Sequence, residues 1–107
     1  MDLPLPIQTY FDADQKHNGR QLLRLFTPDA VVQDEGQSYR GHPAITGWWQ
    51  RAKKTYDHHA VPFEVTSNDG SLCVRAMVTG NFPSSPAALT YTFRLEAQRI
   101  AALEITA

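Results

Sequence analysis

Residues 25–34, with the sequence LFTPDAVVQD, mark the change from helical spacing to strand spacing in this chain. Thr27-Pro28-Asp29 is typical of a turn. The following residues, Ala30 to Asp34, indicate a short apolar strand that ends in a carboxylate. A tight turn at Glu35-Gly36-Gln37 and a second short strand at 38–40 are expected to follow.

Helical spacing surrounds this segment on both sides. Ile7, Tyr10 and Phe11 recur at the interval of one helix face, and 22–26 predicts a second, short helix. A third helix is predicted to open at Gly41-His42-Pro43, because proline suits the first helical turn. The apolar members of this third helix are Ile45, Trp48, Trp49, Ala52 and Tyr56.

Strand alternation dominates the second half of the chain. Val61, Phe63 and Val65 alternate with polar residues, and Asn68-Asp69-Gly70 is a strong hairpin turn. Further strands are predicted within 72–82, 89–96 and 99–106. Helices followed by a run of strands predict an α+β fold, with a curved antiparallel sheet wrapped around three helices. Such a cone-shaped barrel would enclose an apolar cavity suited to a small ligand.

Composition narrows the possible partners. The chain has 107 residues, 42% of them apolar and 20% charged, which predicts a single globular domain over 1–107. Ten basic and eleven acidic residues give a net charge of −1, so nucleic acid is not an expected partner. No apolar run reaches the length of a membrane span, and the start lacks a secretory pattern. The single Cys73 fits a reducing compartment, so a cytoplasmic location is expected.

Metal and cofactor signals are weak in the sequence. His58 and His59 are adjacent and lack the spacing of a zinc-binding helix, while His17 and His42 lie in turns. No glycine-rich phosphate loop and no Gly-x-Ser-x-Gly motif occur. The sequence therefore predicts no metal site and no cofactor.

Three stretches resemble the nuclear-transport-factor-2-like superfamily, and within it the SnoaL-like polyketide cyclases and ketosteroid isomerases. They are LFTPDAVVQD at 25–34, YRGHPAI at 39–45 and Phe93-Arg94. The resemblance extends over nearly the whole chain and implies the cone-shaped α+β fold. It leaves function open, because this fold hosts isomerases, dehydratases, hydrolases, cyclases and non-catalytic binders.

The resemblance to ketosteroid isomerases implies three catalytic residues. Those enzymes use a tyrosine of the first helix as donor to the substrate oxygen, and an aspartate at the end of the first strand as base. Tyr10 and Asp34 are similar to these two residues. Tyr91 stands where the family has a protonated aspartate, and a phenol can also donate. Trp49 stands where the family has a tyrosine that supports the first.

Each of these residues also has a simpler interpretation. Asp34 could cap the turn that follows it, and Tyr10 or Tyr91 could be ordinary core aromatics. Asp14 could enter the cavity as a second acid, pair with a basic residue at its rim, or be solvated. Trp48 and Trp49 are adjacent, so only one is expected to line the cavity. The predicted ligand-binding residues are Phe11, Asp14, Phe26, Val32, Trp48, Trp49, Phe63 and Phe93.

These residues support two main hypotheses. The first is an enzyme without cofactor that moves a proton next to the carbonyl of an apolar substrate, leading to isomerisation, cyclisation or dehydration. The second is a non-catalytic module that binds a small ligand or serves in assembly. A third, of epoxide-hydrolase type, would need Arg75 or Arg94 to face inward beside an acid. A homodimer through the outer face of the sheet is also expected, since that face carries Cys73, Met77, Thr79, Thr90 and Thr92.

Overall fold

The computed structural model describes residues 2–107, which form three helices and six strands. The helices are α1 (Leu5–Gln15), α2 (Gly19–Arg24) and α3 (His42–Tyr56). The strands are β1 (Phe26–Asp34), β2 (Gln37–Arg40), β3 (His59–Asn68), β4 (Ser71–Thr79), β5 (Ala87–Glu96) and β6 (Arg99–Thr106). The predicted α+β class is confirmed.

All six strands belong to one sheet, in the order β2-β1-β6-β5-β4-β3. The sheet is mixed rather than purely antiparallel, because β1 and β6 pair in parallel. These two strands are far apart in the chain and need no hairpin between them, so parallel pairing is open to them. The order ends at β2 and β3, so the sheet is open rather than closed into the expected barrel.

The helices cover one face of this sheet. Helix α1 contacts both β3 and β6, and α3 contacts β1 and β2. Since β3 and β6 are three strand spacings apart, about 14 Å, the sheet curls around α1. The core lies in this concavity, where Phe11, Phe26 and Phe93 are fully buried.

Two-residue turns connect three of the four antiparallel hairpins, and the longer segment 80–86 connects β4 to β5. Glu35-Gly36, Asp69-Gly70 and Ala97-Gln98 each have positive φ at both positions, as the primed hairpin turns require. The turn predicted at Asp69-Gly70 is confirmed by the pairing of Asn68 with Ser71.

Strand β1 begins at Phe26, four residues earlier than the sequence predicts, and Pro28 lies within it. Strand β2 pairs with β1 only from Val31 onward, so the missing N–H of Pro28 removes no bond to that neighbour. The register between β1 and β6 shifts between Phe26 and Val31. The residues Thr27-Pro28-Asp29, which the sequence predicts to form a turn, thus form an irregularity within strand β1.

Candidate functional site

A pocket of about 570 Å³ opens between α1, α3 and the concave face of the sheet. It receives the end of β1, the end of α3 and the loop that follows β4. Its lining is mainly apolar, with four polar or titratable groups that carry the chemistry discussed below: Tyr10, Asp34, His58 and Tyr91.

Two buried tyrosines, one from α1 and one from β5, line this pocket. Tyr10 on α1 is 2% exposed and Tyr91 on β5 is 4% exposed, and their ring centroids are 6.4 Å apart. Burial raises the pKa of both phenols above the ordinary value, and the nearby carboxylates of Asp14 and Asp34 add to the shift. No fully buried side-chain oxygen within residues 2–107 lacks a hydrogen-bond partner, and neither tyrosine hydroxyl takes part in the side-chain hydrogen bonds found there, so both hydroxyls are accessible from the pocket. Both therefore remain protonated and can donate to a bound molecule.

Asp34 is half-buried at the end of β1, where the Glu35-Gly36 turn reverses the chain into β2. Trp48 Nε1 donates a hydrogen bond of 3.0 Å to Asp34 Oδ2. Burial raises the pKa of Asp34 above its ordinary value, and the neighbouring charge of Glu35 raises it further. The hydrogen bond from Trp48 and the proximity of His58 oppose this shift without cancelling it. The carboxylate is thus a stronger base than an exposed aspartate.

A second carboxylate, Asp14, lies behind the pocket wall and is 2% exposed. Trp49 Nε1 donates to its Oδ1 at 2.8 Å, and Lys53 Nζ lies 3.2 Å from the same atom. His58 Nε2 lies 3.5 Å away. Burial alone would raise the pKa of Asp14, but the hydrogen bond from His58 and the charge of Lys53 outweigh it, so the pKa is lowered. Asp14 is therefore an ionised anchor for its three partners.

The ring of His58 lines the pocket while its Nε2 faces Asp14. The backbone beside it is fixed, because Lys53 Nζ donates to the His58 carbonyl at 2.6 Å. The sequence suggests His58 only as a possible metal ligand and does not predict this position. Asp14 and His58 are 44 positions apart, and nothing in their local sequences indicates that they meet.

The adjacent tryptophans divide as expected, and the structure shows which one faces the pocket. Trp48 lines the pocket and holds Asp34. Trp49 points away from the pocket, bonds to Asp14 and packs against His17. It does not support Tyr10, because its only hydrogen bond within the described residues is to Asp14.

Of the residues predicted to form the site, the structure brings Tyr10, Asp34, Trp48 and Tyr91 to one pocket. The other predicted residues lie outside its lining. Four of them are fully buried core residues: Phe11, Phe26, Val32 and Phe93.

Phe63 is placed on the opposite face of the sheet, where it is 48% exposed. The β3–β4 register shifts between Pro62 and Glu64, which makes Phe63 the additional residue of a bulge. A bulge reverses the inward and outward alternation, so only Val65 of the expected series packs on the core. The ring of Phe63 lies under the Arg75 guanidinium, 5.6 Å from it. Arg75 and Arg94 are exposed, so neither forms the inward Arg–Asp pair of the third hypothesis.

The family model of the SnoaL-like domain matches residues 7–103. The chain belongs to the SnoaL-like domain family. No curated protein sequence matches it significantly. A candidate polyketide cyclase from Sinorhizobium meliloti has 47% sequence identity and a TM-score of 0.95, over 99% of this chain and 97% of that one.

More distant solved structures share the fold. A hypothetical protein of Catenulispora acidiphila with a ketosteroid isomerase-like fold, crystallised with trimethylamine, is 18% identical with a TM-score of 0.85, over 99% of this chain and 87% of that one. TerC, co-crystallised with polyporic acid, is 11% identical with a TM-score of 0.81, over 94% and 86% of the two chains. No helix within residues 2–107 is both long enough and apolar enough to cross a membrane.

Proposed function

We propose that this SnoaL-like protein catalyses cofactor-independent proton transfer next to the carbonyl of an apolar small molecule. The observation that carries the proposal is the convergence of Tyr10, Asp34 and Tyr91. The two buried tyrosines line the pocket that also contains a carboxylate of raised pKa. Hydrogen-bond donors and a base that line one pocket meet the two requirements for forming an enolate.

In the proposed reaction the Asp34 carboxylate takes a proton from the carbon next to the carbonyl. The electron pair of the broken C–H bond forms the C=C bond of the enolate, and the carbonyl π pair moves to the oxygen. Tyr10 and Tyr91 stabilise that oxyanion by donating hydrogen bonds. Return of the proton to another carbon gives isomerisation, attack of the enolate on a second carbonyl gives cyclisation, and loss of a β-hydroxyl as water gives dehydration.

His58 is the second proton-transfer group in this proposal. Its ring forms part of the pocket wall, and the buried Asp14 fixes its orientation through Nε2. This is the arrangement in which a carboxylate orients an imidazole for acid–base work. His58 can then protonate a leaving hydroxyl or return a proton while Asp34 acts as the base. Its replacement by Gln should lower turnover while ligand binding persists.

The substrate class follows from the pocket and from the relatives. Most of the lining is apolar and aromatic, with Trp48, Tyr56 and Phe82 among its members. The 47% identical relative is a candidate polyketide cyclase, and TerC was co-crystallised with polyporic acid. We therefore expect a cyclic or polyketide-like ketone that buries its hydrocarbon part against these rings.

The test is exchange of α-carbon protons of cyclic enones and 1,3-diketones in D₂O, followed by NMR. Asp34→Asn keeps the shape and should lower the exchange rate by roughly 10²- to 10⁴-fold, the usual contribution of a general base. Tyr10→Phe and Tyr91→Phe should each cost up to about 10²- to 10³-fold. Their effects should be smaller where the two phenols share the oxygen.

The controls are matched in chemistry. Asp12→Asn changes an exposed aspartate of α1 that bonds only to Gln8 among side chains, and Tyr39→Phe changes a tyrosine outside the pocket. Both should leave the exchange rate unchanged. Equal losses in the control and pocket variants would refute the assignment.

A non-catalytic binding module is the second candidate function. It is favoured by one observation, which is that the pocket combines aromatic rings with the carboxylates of Asp34 and Glu35. Such a lining can hold a cation against ring faces, and the Catenulispora relative was crystallised with trimethylamine. Saturable binding of ketones or amines without any exchange of α-protons would leave this function in place of the enzyme.

We also propose that the protein is a homodimer through the outer face of its sheet. Three large apolar side chains are exposed there: Val61, Phe63 and Met77. Val61 and Met77 are directly paired across β3 and β4, so they form one patch. Exposed apolar patches of this kind mark contact surfaces in soluble proteins.

A further inference from the structure

We propose that His17, Asp57 and His59 form a binding site for a divalent transition-metal ion, with Zn²⁺ and Ni²⁺ as the probes. One ligand atom from each of these side chains lies within 4.8 Å of the other two. The sequence predicts no metal site, because His58 and His59 are adjacent and His17 lies in a turn. The pair that converges is instead His17 and His59, whose rings are 6.1 Å apart between centroids.

The backbone brings these three residues together from three elements. His17 follows the Lys16 cap of α1, Asp57 caps the end of α3, and His59 begins β3. The main-chain N–H of His17 donates to the Asp14 carbonyl at 3.2 Å, and that of Asp57 donates to the Lys53 carbonyl at 2.9 Å. The three positions are thus set by the ends of regular elements.

Contacts around the cluster hold the elements against each other. Gln15 Nε2 donates to the Ala60 carbonyl at 2.7 Å, which ties the end of α1 to the start of β3. The ring of His17 packs edge-on against Trp49, with 6.4 Å between centroids. The three ligands are therefore presented by a connected framework.

Alternation along the chain explains why the site lies outside the pocket. His58 turns inward to the pocket and Asp14, while its two neighbours Asp57 and His59 are exposed. The site and the pocket thus lie on opposite sides of one short segment. The metal site does not depend on the proposed reaction, because none of its ligands lines the pocket.

The donor set fits the chemistry of borderline divalent ions. Two imidazoles and one carboxylate are ligands typical of Zn²⁺, and imidazole also suits Ni²⁺ and Cu²⁺. Bond lengths near 2.0–2.2 Å place neighbouring ligand atoms roughly 3.4 Å apart in a tetrahedral site. Since all three side chains are exposed, rotation about their side-chain bonds can close the remaining distance without moving the backbone. Water would complete the coordination.

The experiment is calorimetric titration of the untagged, EDTA-treated full chain with ZnCl₂ and, separately, NiCl₂. The expected result is one ion per chain, accompanied by shifts of the His17 and His59 ring signals in NMR. His17→Asn and Asp57→Asn keep a residue type that tolerates the positive φ at these positions, 55° and 46°. Each of these variants, and His59→Gln, should weaken binding at least about tenfold, as loss of a metal ligand does.

The control is His42→Gln, which keeps a side-chain donor for the Phe26 carbonyl that His42 now contacts at 3.0 Å. It should bind the ion like the unchanged chain. The near-ultraviolet circular dichroism of every variant shows whether it is folded. No binding by the unchanged chain, or equal binding by the folded variant that carries all three substitutions, would overturn the proposal.

Discussion

The pKa values of two aspartates, Asp34 and Asp14, shift in opposite directions although the two side chains accept very similar hydrogen bonds. Each accepts a hydrogen bond from one of the adjacent tryptophans of α3. Asp34 has no cation within ion-pair distance in the described residues, and its burial raises the pKa. Asp14 has Lys53 and His58 beside it, and its pKa is lowered. The hydrogen bond from His58 and the charge of Lys53, rather than the indole bond, distinguish the structural anchor from the candidate base.

The pH dependence of the proposed activity should follow Asp34. The base form is the carboxylate, so the rate should fall as pH decreases through a pKa that lies above the ordinary value of 3.8. Trp48→Phe removes the hydrogen bond that opposes this shift, so the acid limb should move to higher pH. Rate–pH profiles of the two proteins measure this. An acid limb at the same pH or lower in Trp48→Phe would contradict the role of the indole.

Asp14 should contribute stability above its unfolded pKa of about 3.9 and lose it as pH falls through the lower folded pKa. At neutral pH, Asp14→Asn leaves the buried Lys53 without its partner, and the expected cost is roughly 3–5 kcal/mol of unfolding free energy. The difference in unfolding free energy between the unchanged protein and Asp14→Asn should become smaller at acidic pH. Adding Lys53→Met should recover part of the loss. Urea denaturation at several pH values gives these numbers, and a neutral-pH stability unchanged by Asp14→Asn would disprove the anchor role.

The positions of Tyr10, Asp34 and Tyr91 on one pocket could be anticipated, because the resemblance supplies their places in the fold. The burial of Asp14 could not. A charged residue is usually exposed, and the partners that compensate Asp14 lie on α3 and at the start of β3. The spacing of residues along the chain does not predict contacts between distant segments. The position of His58 beside Asp14 could not be predicted for the same reason.

At the junction of α3, β3 and β4, backbone segments approach closely enough to leave no space for a Cβ atom at Gly80. Gly80 follows β4, and a Cβ at this position would lie 2.6 Å from the Tyr56 carbonyl oxygen and 3.1 Å from the His58 Cα. Both neighbours are backbone atoms that cannot move independently. The glycine therefore sets how closely the loop after β4 approaches the end of α3.

Gly80→Ala should destabilise the fold and disturb the His58 wall of the pocket, because backbone must shift to admit the methyl group. Gly47→Ala is the matched comparison in the interior of α3. There the new Cβ meets only the flexible end of Arg51, at 2.9 Å. That variant should gain about 0.5–1 kcal/mol from helix propensity. Thermal unfolding compares the two, and a Gly80→Ala protein as stable as Gly47→Ala would show that the junction is not tight.

The order of helices and strands follows from periodicity, since each period of 3.6 or 2 is a local property. The irregularities within these helices and strands do not follow from periodicity. The early start of β1 at Phe26 depends on its parallel neighbour β6, which contacts it only in the folded chain. The bulge at Phe63 reverses a face that strict alternation would keep constant. Parallel pairing and bulges are decided by tertiary contacts.

At the scale of the whole molecule, the proposed homodimer predicts that the mass in solution is that of two chains. Sedimentation equilibrium at micromolar concentration should give twice 12.0 kDa. Met77→Glu places a charge in the patch that Met77 shares with Val61 and should yield monomer, because an unpaired charge at an interface is costly to desolvate. Thr55→Glu is the control, because Thr55 is exposed and polar and lies on α3, which covers the other face of the sheet. A monomeric unchanged protein would contradict the proposal.

The adjacent tryptophans have a consequence for spectroscopy. The protein contains two indoles, and the structure places Trp48 in the pocket wall and Trp49 against the buried Asp14. Their fluorescence should therefore separate: occupancy of the pocket changes the emission of Trp48, and loss of the fold changes that of both. In a Trp49→Phe protein only Trp48 emits, so a change in its fluorescence on titration identifies pocket ligands from a library without any label.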